Sequence, residues 1–222
     1  MNNYPETGVF TGQDVQAQQL QMSKVLRNTY ALLAMTLAFS AAAAYAGIAF
    51  GMPYLGLWTL LPYFGLLFAV EKFKNSGLGI VFVFALTGWL GLTISPIIGF
   101  YIGAGAGDSI MLALGGTAAI FFCTSVYVLV TKRNMKFMEG FLMIGILVAF
   151  IAGIANVFLN ISALSMAVSA AFLILSSGLI MWQTSEIIHG GETNYISATV
   201  TLFVSIYNVF MSLLSLIGLG ND

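Results

Sequence analysis

The stretch YISATVTLFVSIYNVFMSLLSLIG, Tyr195 to Gly218, carries no charged residue. As a helix it is long enough to cross a hydrocarbon layer of about 30 Å. Backbone polar groups in such a layer must be satisfied within the segment, and the run does not alternate as a barrel strand does, so a transmembrane helix is the reading. Its polar residues are ordered: Ser197, Thr201, Ser205, Asn208, Ser212 and Ser215 follow 4-4-3-4-3 spacing and share one helical face. That face is expected to avoid lipid.

Working outward, apolar runs also cover about Tyr30 to Gly51, Tyr54 to Val70, Leu78 to Phe100, Ser109 to Val130, Phe141 to Leu159 and Ala163 to Ile187. The 222 residues are 59% hydrophobic and 7% charged, against about 25% charged in an ordinary globular domain. The expected fold class is an all-α integral membrane protein of seven transmembrane helices, its membrane domain spanning residues 24–222. The first 23 residues are polar, rich in Gln and Asn, lack the apolar core of a signal peptide, and read as a disordered tail.

The seven basic residues fix an orientation. Lys24 and Arg27 precede the first span, Lys72 and Lys74 follow the second, and Lys132, Arg133 and Lys136 follow the fourth. The alternate loops have none. By the positive-inside bias the N-terminus and the loop HGGETN are cytoplasmic, and the C-terminus lies on the far side.

The sixth span repeats the pattern of the seventh, with Ser162, Ser165, Ser169, Ser176 and Gln183 at heptad-compatible spacing. Such stripes can line a water or ion pathway, or supply interhelical hydrogen bonds of about 0.6 kcal/mol each. With no carboxylate, lysine or arginine in the middle of the membrane, hydroxyls alone select no ion, and hydrogen bonding is preferred. Gly145, Ala149 and Gly153 form a small-residue ridge, and Ala34, Ala38, Ala41, Ala42 and Tyr45 a second small surface. Both are expected to admit a close neighbour. Pro62 and Pro96 are expected to bend their helices.

The ionisable residues sit at span ends. Glu71 beside Lys72 and Lys74, and Glu139 after Lys136, read as interfacial charge partners, and Asp108 after GAGAG as an N-cap. Glu186 and His189, one turn apart before Gly190 and Gly191, form a candidate pH-sensitive site, set against a solvated cation that favours the helix dipole. His189, Glu186 and Glu192 are too few for a metal site. Cys123 reads as a small core residue. No basic stripe suits nucleic acid, no cofactor site is seen, and neither G-x-S-x-G nor H-E-x-x-H occurs, so no enzyme is expected.

Four stretches carry a resemblance: KVLRNTYALLAMTLAFSA, ALGGTAAIFFCTSVYVLVTKRNMKF, ISALSMAVSAAFLILSSG and, above all, TSEIIHGGETNYISATVTLFVSIYNVFMSLLSLIG. The chain resembles the Bax inhibitor-1 family of membrane proteins, within it the bacterial YccA-like branch. The resemblance implies six helices surrounding a central seventh. It also implies a multi-pass bacterial inner-membrane location with a periplasmic C-terminus. Many members carry an aspartate pair associated with a pH-sensitive calcium leak. Here the matching positions are Gln183 and Ser205, which can hydrogen-bond to each other but do not titrate in the relevant range.

The function implied is regulatory: a protein that binds and modulates the membrane AAA protease FtsH, engaged through its cytoplasmic N-terminal tail. The alternative is a pH-sensitive cation leak, of calcium or protons, along the sixth and seventh helices.

Overall fold

The computed structural model describes residues 12–219. Among them every regular element is helical: α1 (Gly12–Ala49), a 3-10 turn (Gly56–Thr59), α2 (Leu60–Phe73), α3 (Gly77–Gly103), α4 (Gly107–Thr131), a second 3-10 turn (Lys136–Met138), α5 (Glu139–Leu159), α6 (Ser162–His189) and α7 (Tyr195–Leu219). Six helices, all but α2, are long and apolar enough to cross a membrane.

The chain before the first span departs from the expected disordered tail. Residues 1–11 lie outside the described residues, and from Gly12 onward the backbone is helical and runs without a break into the first apolar run. The physical reason is cooperativity. Gln, Ala, Leu and Met are good helix formers, and a segment that extends an existing helix bears no nucleation cost.

The helices differ sharply in how much of their surface faces the outside. Half of the most apolar window of α7 is buried (50%), against 11% for α5, and no residue from Tyr195 to Gly218 is exposed. α7 packs against α1, α2, α3, α4 and α6, while α5 leans chiefly on α6. A single large core runs along this contact, with Leu86, Ile180, Leu202, Phe203 and Val209 almost fully enclosed. Outward, Phe68, Phe122, Phe141, Phe158 and Ile174 are largely exposed. An apolar girdle of this extent is stable against hydrocarbon and not against water.

Close approaches occur where glycine permits them. The ridge on α5 behaves as expected: Gly145 and Gly153 meet Leu175 and Val168 of α6, and Ala149 is buried. The small surface expected on α1 does not. Ala34, Ala38, Ala41, Ala42 and Tyr45 all point outward, and the face pressed on α3 carries Ser40, Ala43 and Gly47, opposite Gly91 and Ser95. Cys123 is likewise exposed on the outer surface and is not a core residue. In lipid, small apolar residues are tolerated on either face, so composition alone does not say which one packs.

Pro96 lies inside α3, whereas Pro62 falls in the first turn of α2, where its missing N–H has no intrahelical acceptor in any case. α4 begins at Gly107 with Ala106 preceding it, so Asp108 is a first-turn acid and not the expected N-cap.

Candidate functional site

The polar stripes of α6 and α7 meet at one end of the bundle. At the end away from the lysines and arginines, a cavity of about 840 Å3 opens between α5, α6 and α7 and reaches Tyr207 and Asn208, near the middle of α7. Ser169 Oγ donates to Ser215 Oγ at 3.0 Å, tying α6 to α7 across it. On its rim Asn156 Nδ2 donates to Ser165 Oγ at 2.6 Å, while Asn156 Oδ1 accepts from the Ile161 amide at 3.1 Å, closing the α5–α6 turn. Asn208 and Ser212 also line the cavity, and within the described residues neither has a hydrogen-bond partner.

Toward the basic end the stripe closes. Ser205 and Ser176 are 0% exposed and Gln183 is 2% exposed. Gln183 and Ser205 form no hydrogen bond with each other. Ser205 Oγ donates to the Thr201 carbonyl of its own helix at 2.7 Å, and Gln183 Nε2 is buried without a partner, as is Ser176 Oγ. A serine in an apolar helix reaches its own carbonyl one turn back at no cost in register, so it does not wait for a neighbouring helix. The Ser169–Ser215 bond is the interhelical bond that the paired stripes do form.

The basic end is a set of polar joints. Asn194 Oδ1 accepts from the amides of Ile196 (2.9 Å) and Ser197 (3.2 Å), capping α7. Its Nδ2 donates to the Lys74 carbonyl at 3.1 Å and to Asn75 Oδ1 at 2.8 Å, holding the α2–α3 turn. Ser197 Oγ donates to Glu71 Oε2 at 3.1 Å, and Lys74 Nζ donates to Glu71 Oε1. Glu71 lies beyond the apolar run of α2. The Lys74 hydrogen bond holds its carboxyl below the ordinary glutamate value, partial burial opposes this, and the Ser197 hydroxyl and the Lys74 charge add to the lowering.

Glu186 and His189 do not pair. The Glu186 carboxylate lies over Gly191, where any Cβ would collide with it. His189 faces two carbonyl oxygens instead, Ser185 at 2.8 Å from Nδ1 and Lys132 at 3.1 Å from Nε2. A neutral ring can donate to one of these and a protonated ring to both. Ser185 completes the joint, its Oγ accepting from the Met135 amide at 2.9 Å and donating to the Arg133 carbonyl at 3.2 Å. The α4–α5 loop is thus bolted to the end of α6. Asn194 announces itself in the sequence as an amide residue just ahead of an apolar run, whereas Ser185 and Asn156 carry no local signal. Among the described residues no group of three or more His, Cys, Asp or Glu side chains could hold a metal.

Long apolar helices, an apolar girdle and polar groups gathered at helix ends and in one open cavity define a multi-pass α-helical membrane protein. The sequence profile described as "Inhibitor of apoptosis-promoting Bax1" matches residues 22–222, and the chain belongs to that family. A protein of Escherichia coli named "Modulator of FtsH protease YccA" is 53% identical over 203 residues, 91% of this chain and 93% of its own length. A protein of another strain of that species, named "Inner membrane protein YccA", matches to the same extent. An uncharacterized protein of Pseudomonas aeruginosa is 47% identical over 209 residues, covering 93% of this chain and 94% of its own.

Proposed function

We propose that this chain is an inner-membrane regulatory protein that binds the FtsH protease and modulates it, with no reaction of its own. The observation that carries this reading is the 53% identity, over 91% of the chain, to a relative named as a modulator of that protease. In the proposed topology the N-terminus is cytoplasmic and the C-terminus periplasmic, since the lysines and arginines flank the helix ends on one side only. Seven helices cross the bilayer. The 3-10 turn of 4 residues and the 14 residues of α2 add to a rise of about 29 Å, close to a hydrocarbon thickness of about 30 Å. α7 is the central helix, and its lack of exposed residues supports that place.

An AAA protease must grip an extended segment before it can pull, and the polar stretch ahead of Lys24 is the handle proposed here. Helical from Gly12, it consists of too few residues to hold a helix alone in water, so unwinding it costs little. Deleting about the first 15 residues should leave membrane insertion intact while abolishing degradation by FtsH and any inhibition that depends on being gripped. Co-purification in mild detergent should recover FtsH with the full-length protein. Recovery of unrelated partners alone, with FtsH proteolysis unchanged, defeats the reading.

A second reading, a cation leak along α6 and α7, is favoured by one observation: the open cavity that carries unpartnered Asn208 and Ser212 to mid-membrane depth. Gln183 and Ser205, at the positions of the family's aspartate pair, lie on the closed side of it. Reconstitution into liposomes loaded with a calcium dye separates the two, because a pure modulator gives no flux above empty vesicles.

A further inference from the structure

At the basic end, a cavity of about 530 Å3 lies between the start of α1 and the ends of α4 and α6. Met22, Leu26 and Leu129 are among its apolar lining residues, and Ser23, Lys132 and His189 among its polar ones. Leu20 and Val130, each within two residues of its lining in the chain, are 73% and 75% exposed. A ligand that fills such a place needs an anionic head and a hydrocarbon body.

Lys132 is built for the head. Among the described residues the ion pair present is Lys74–Glu71, so no described carboxylate pairs with the Lys132 ammonium. Its backbone is left-handed (φ 51°) at the C-terminus of α4, a position that favours glycine or asparagine. The residue placed there is nevertheless a lysine, and His189 Nε2, 3.1 Å from its carbonyl oxygen, pins it. A cation with no described carboxylate partner, lining a cavity whose other side is apolar, suits a phosphate head carried on a hydrocarbon body.

We propose that this cavity binds an anionic phospholipid of the adjoining leaflet, its phosphate on the Lys132 ammonium and the start of an acyl chain against Met22, Leu26 and Leu129, with His189 a positioning residue. Because Met22 and Ser23 belong to the segment proposed above as the protease handle, a bound lipid would hold that segment to the bundle. The lipid proposal takes from that reading only which leaflet supplies the lipid, and none of its readouts involves the protease.

The test uses full-length protein in neutral detergent, titrated separately with dioleoylphosphatidylglycerol, dioleoylphosphatidylcholine and inorganic phosphate, reading melting temperature and native mass spectra. Phosphatidylglycerol alone should stabilise saturably and remain bound. Lys132→Gly and Lys132→Asn both suit a left-handed backbone, so each should melt, without lipid, at or above the wild-type temperature. Both should bind phosphatidylglycerol about tenfold or more weakly, the scale of one lost charge-assisted hydrogen bond. Lys132→Arg should keep most of the affinity. Equal stabilisation by the two lipids, unchanged phosphatidylglycerol affinity in both charge-free variants, or an equal shift from inorganic phosphate would each overturn the assignment, the last by making the ligand a free anion.

Discussion

Asn194 Nδ2 donates to Asn75 Oδ1 at 2.8 Å, across the gap between the start of α7 and the turn that joins α2 to α3. The same side chain caps α7 through its oxygen. One residue therefore fixes both where the most buried helix begins and what it abuts.

Replacing it should separate those roles. Asn194→Ala loses the cap and the cross-link and should cost about 1–2 kcal/mol, the upper range for a cap. Asn194→Asp keeps an acceptor for the Ile196 and Ser197 amides and loses only the donor, so its cost should be the smaller. Unfolding in detergent by a titrated denaturant reads both, and equal losses would mean that the cap contributes nothing separate.

The contact of α1 with α3 depends on Gly91. A Cβ there would collide with the Ser40 carbonyl and stand 3.0 Å from Ala43 Cβ. Backbone cannot rotate aside as a side chain can, so Gly91→Ala should destabilise by about 1–3 kcal/mol. Gly99→Ala on the same helix meets nothing within 4 Å and should be neutral or stabilise by up to about 1 kcal/mol, the propensity difference. Thermal melts of the pair decide it.

Glu71 gives a pH signature. Its carboxyl is held below the ordinary glutamate value, first by the Lys74 hydrogen bond. A depressed carboxylate stabilises the fold at pH values above its unfolded value and loses that contribution as pH falls toward the folded one. The side chain is 61% exposed, so screening limits the contribution to less than about 1 kcal/mol. Wild type should lose this increment on acidification below about pH 4.5, and Glu71→Gln, which never has it, should show a flatter profile there. Parallel profiles would remove Glu71 from the acid response.

These tests also mark what could be read before the structure. The fifth run, Phe141 to Leu159, differs from α5 only by a first half-turn at Glu139, because membrane crossing depends on an uninterrupted apolar length that any window of sequence displays. Facing is another matter. Ala41 and Cys123 point outward where packing was expected, since hydrocarbon penalises neither side of an alanine or a cysteine. Joints such as Ser185 with Met135 join residues 50 apart in the chain, and no local pattern signals them.

Gln183 illustrates the same point for hydroxyl and amide groups. Its Nε2 is buried and unpaired, which costs about 1–3 kcal/mol of unrecovered hydration. Gln183→Met keeps the volume and removes the unmet donor, so stability should stay level or rise. A loss above about 1 kcal/mol would reveal a partner that matters, and would return the pair with Ser205 to consideration.

The sharpest prediction concerns the cavity between α5, α6 and α7, because it sets a depth at which water stops. Asn208 and Ser212 line that cavity, whereas Ser205, less than one turn further toward the basic end, is 0% exposed. Unpartnered amide and hydroxyl groups on an open cavity draw water in, since leaving them dry forfeits their hydrogen bonds. With the outward-facing Cys123 replaced by alanine, Asn208→Cys and Ser212→Cys should react with a membrane-impermeant thiol reagent applied from the side of the α5–α6 turn. Ser205→Cys should not react from either side. Reaction at all three positions would extend the aqueous path past Ser205 and strengthen the leak reading, while silence at Asn208 and Ser212 would mean the cavity is closed or filled by lipid. A boundary between positions 205 and 208 is what the geometry requires: the polar face of α7 is wet at Asn208 and Ser212, which line the cavity, and dry at Ser205.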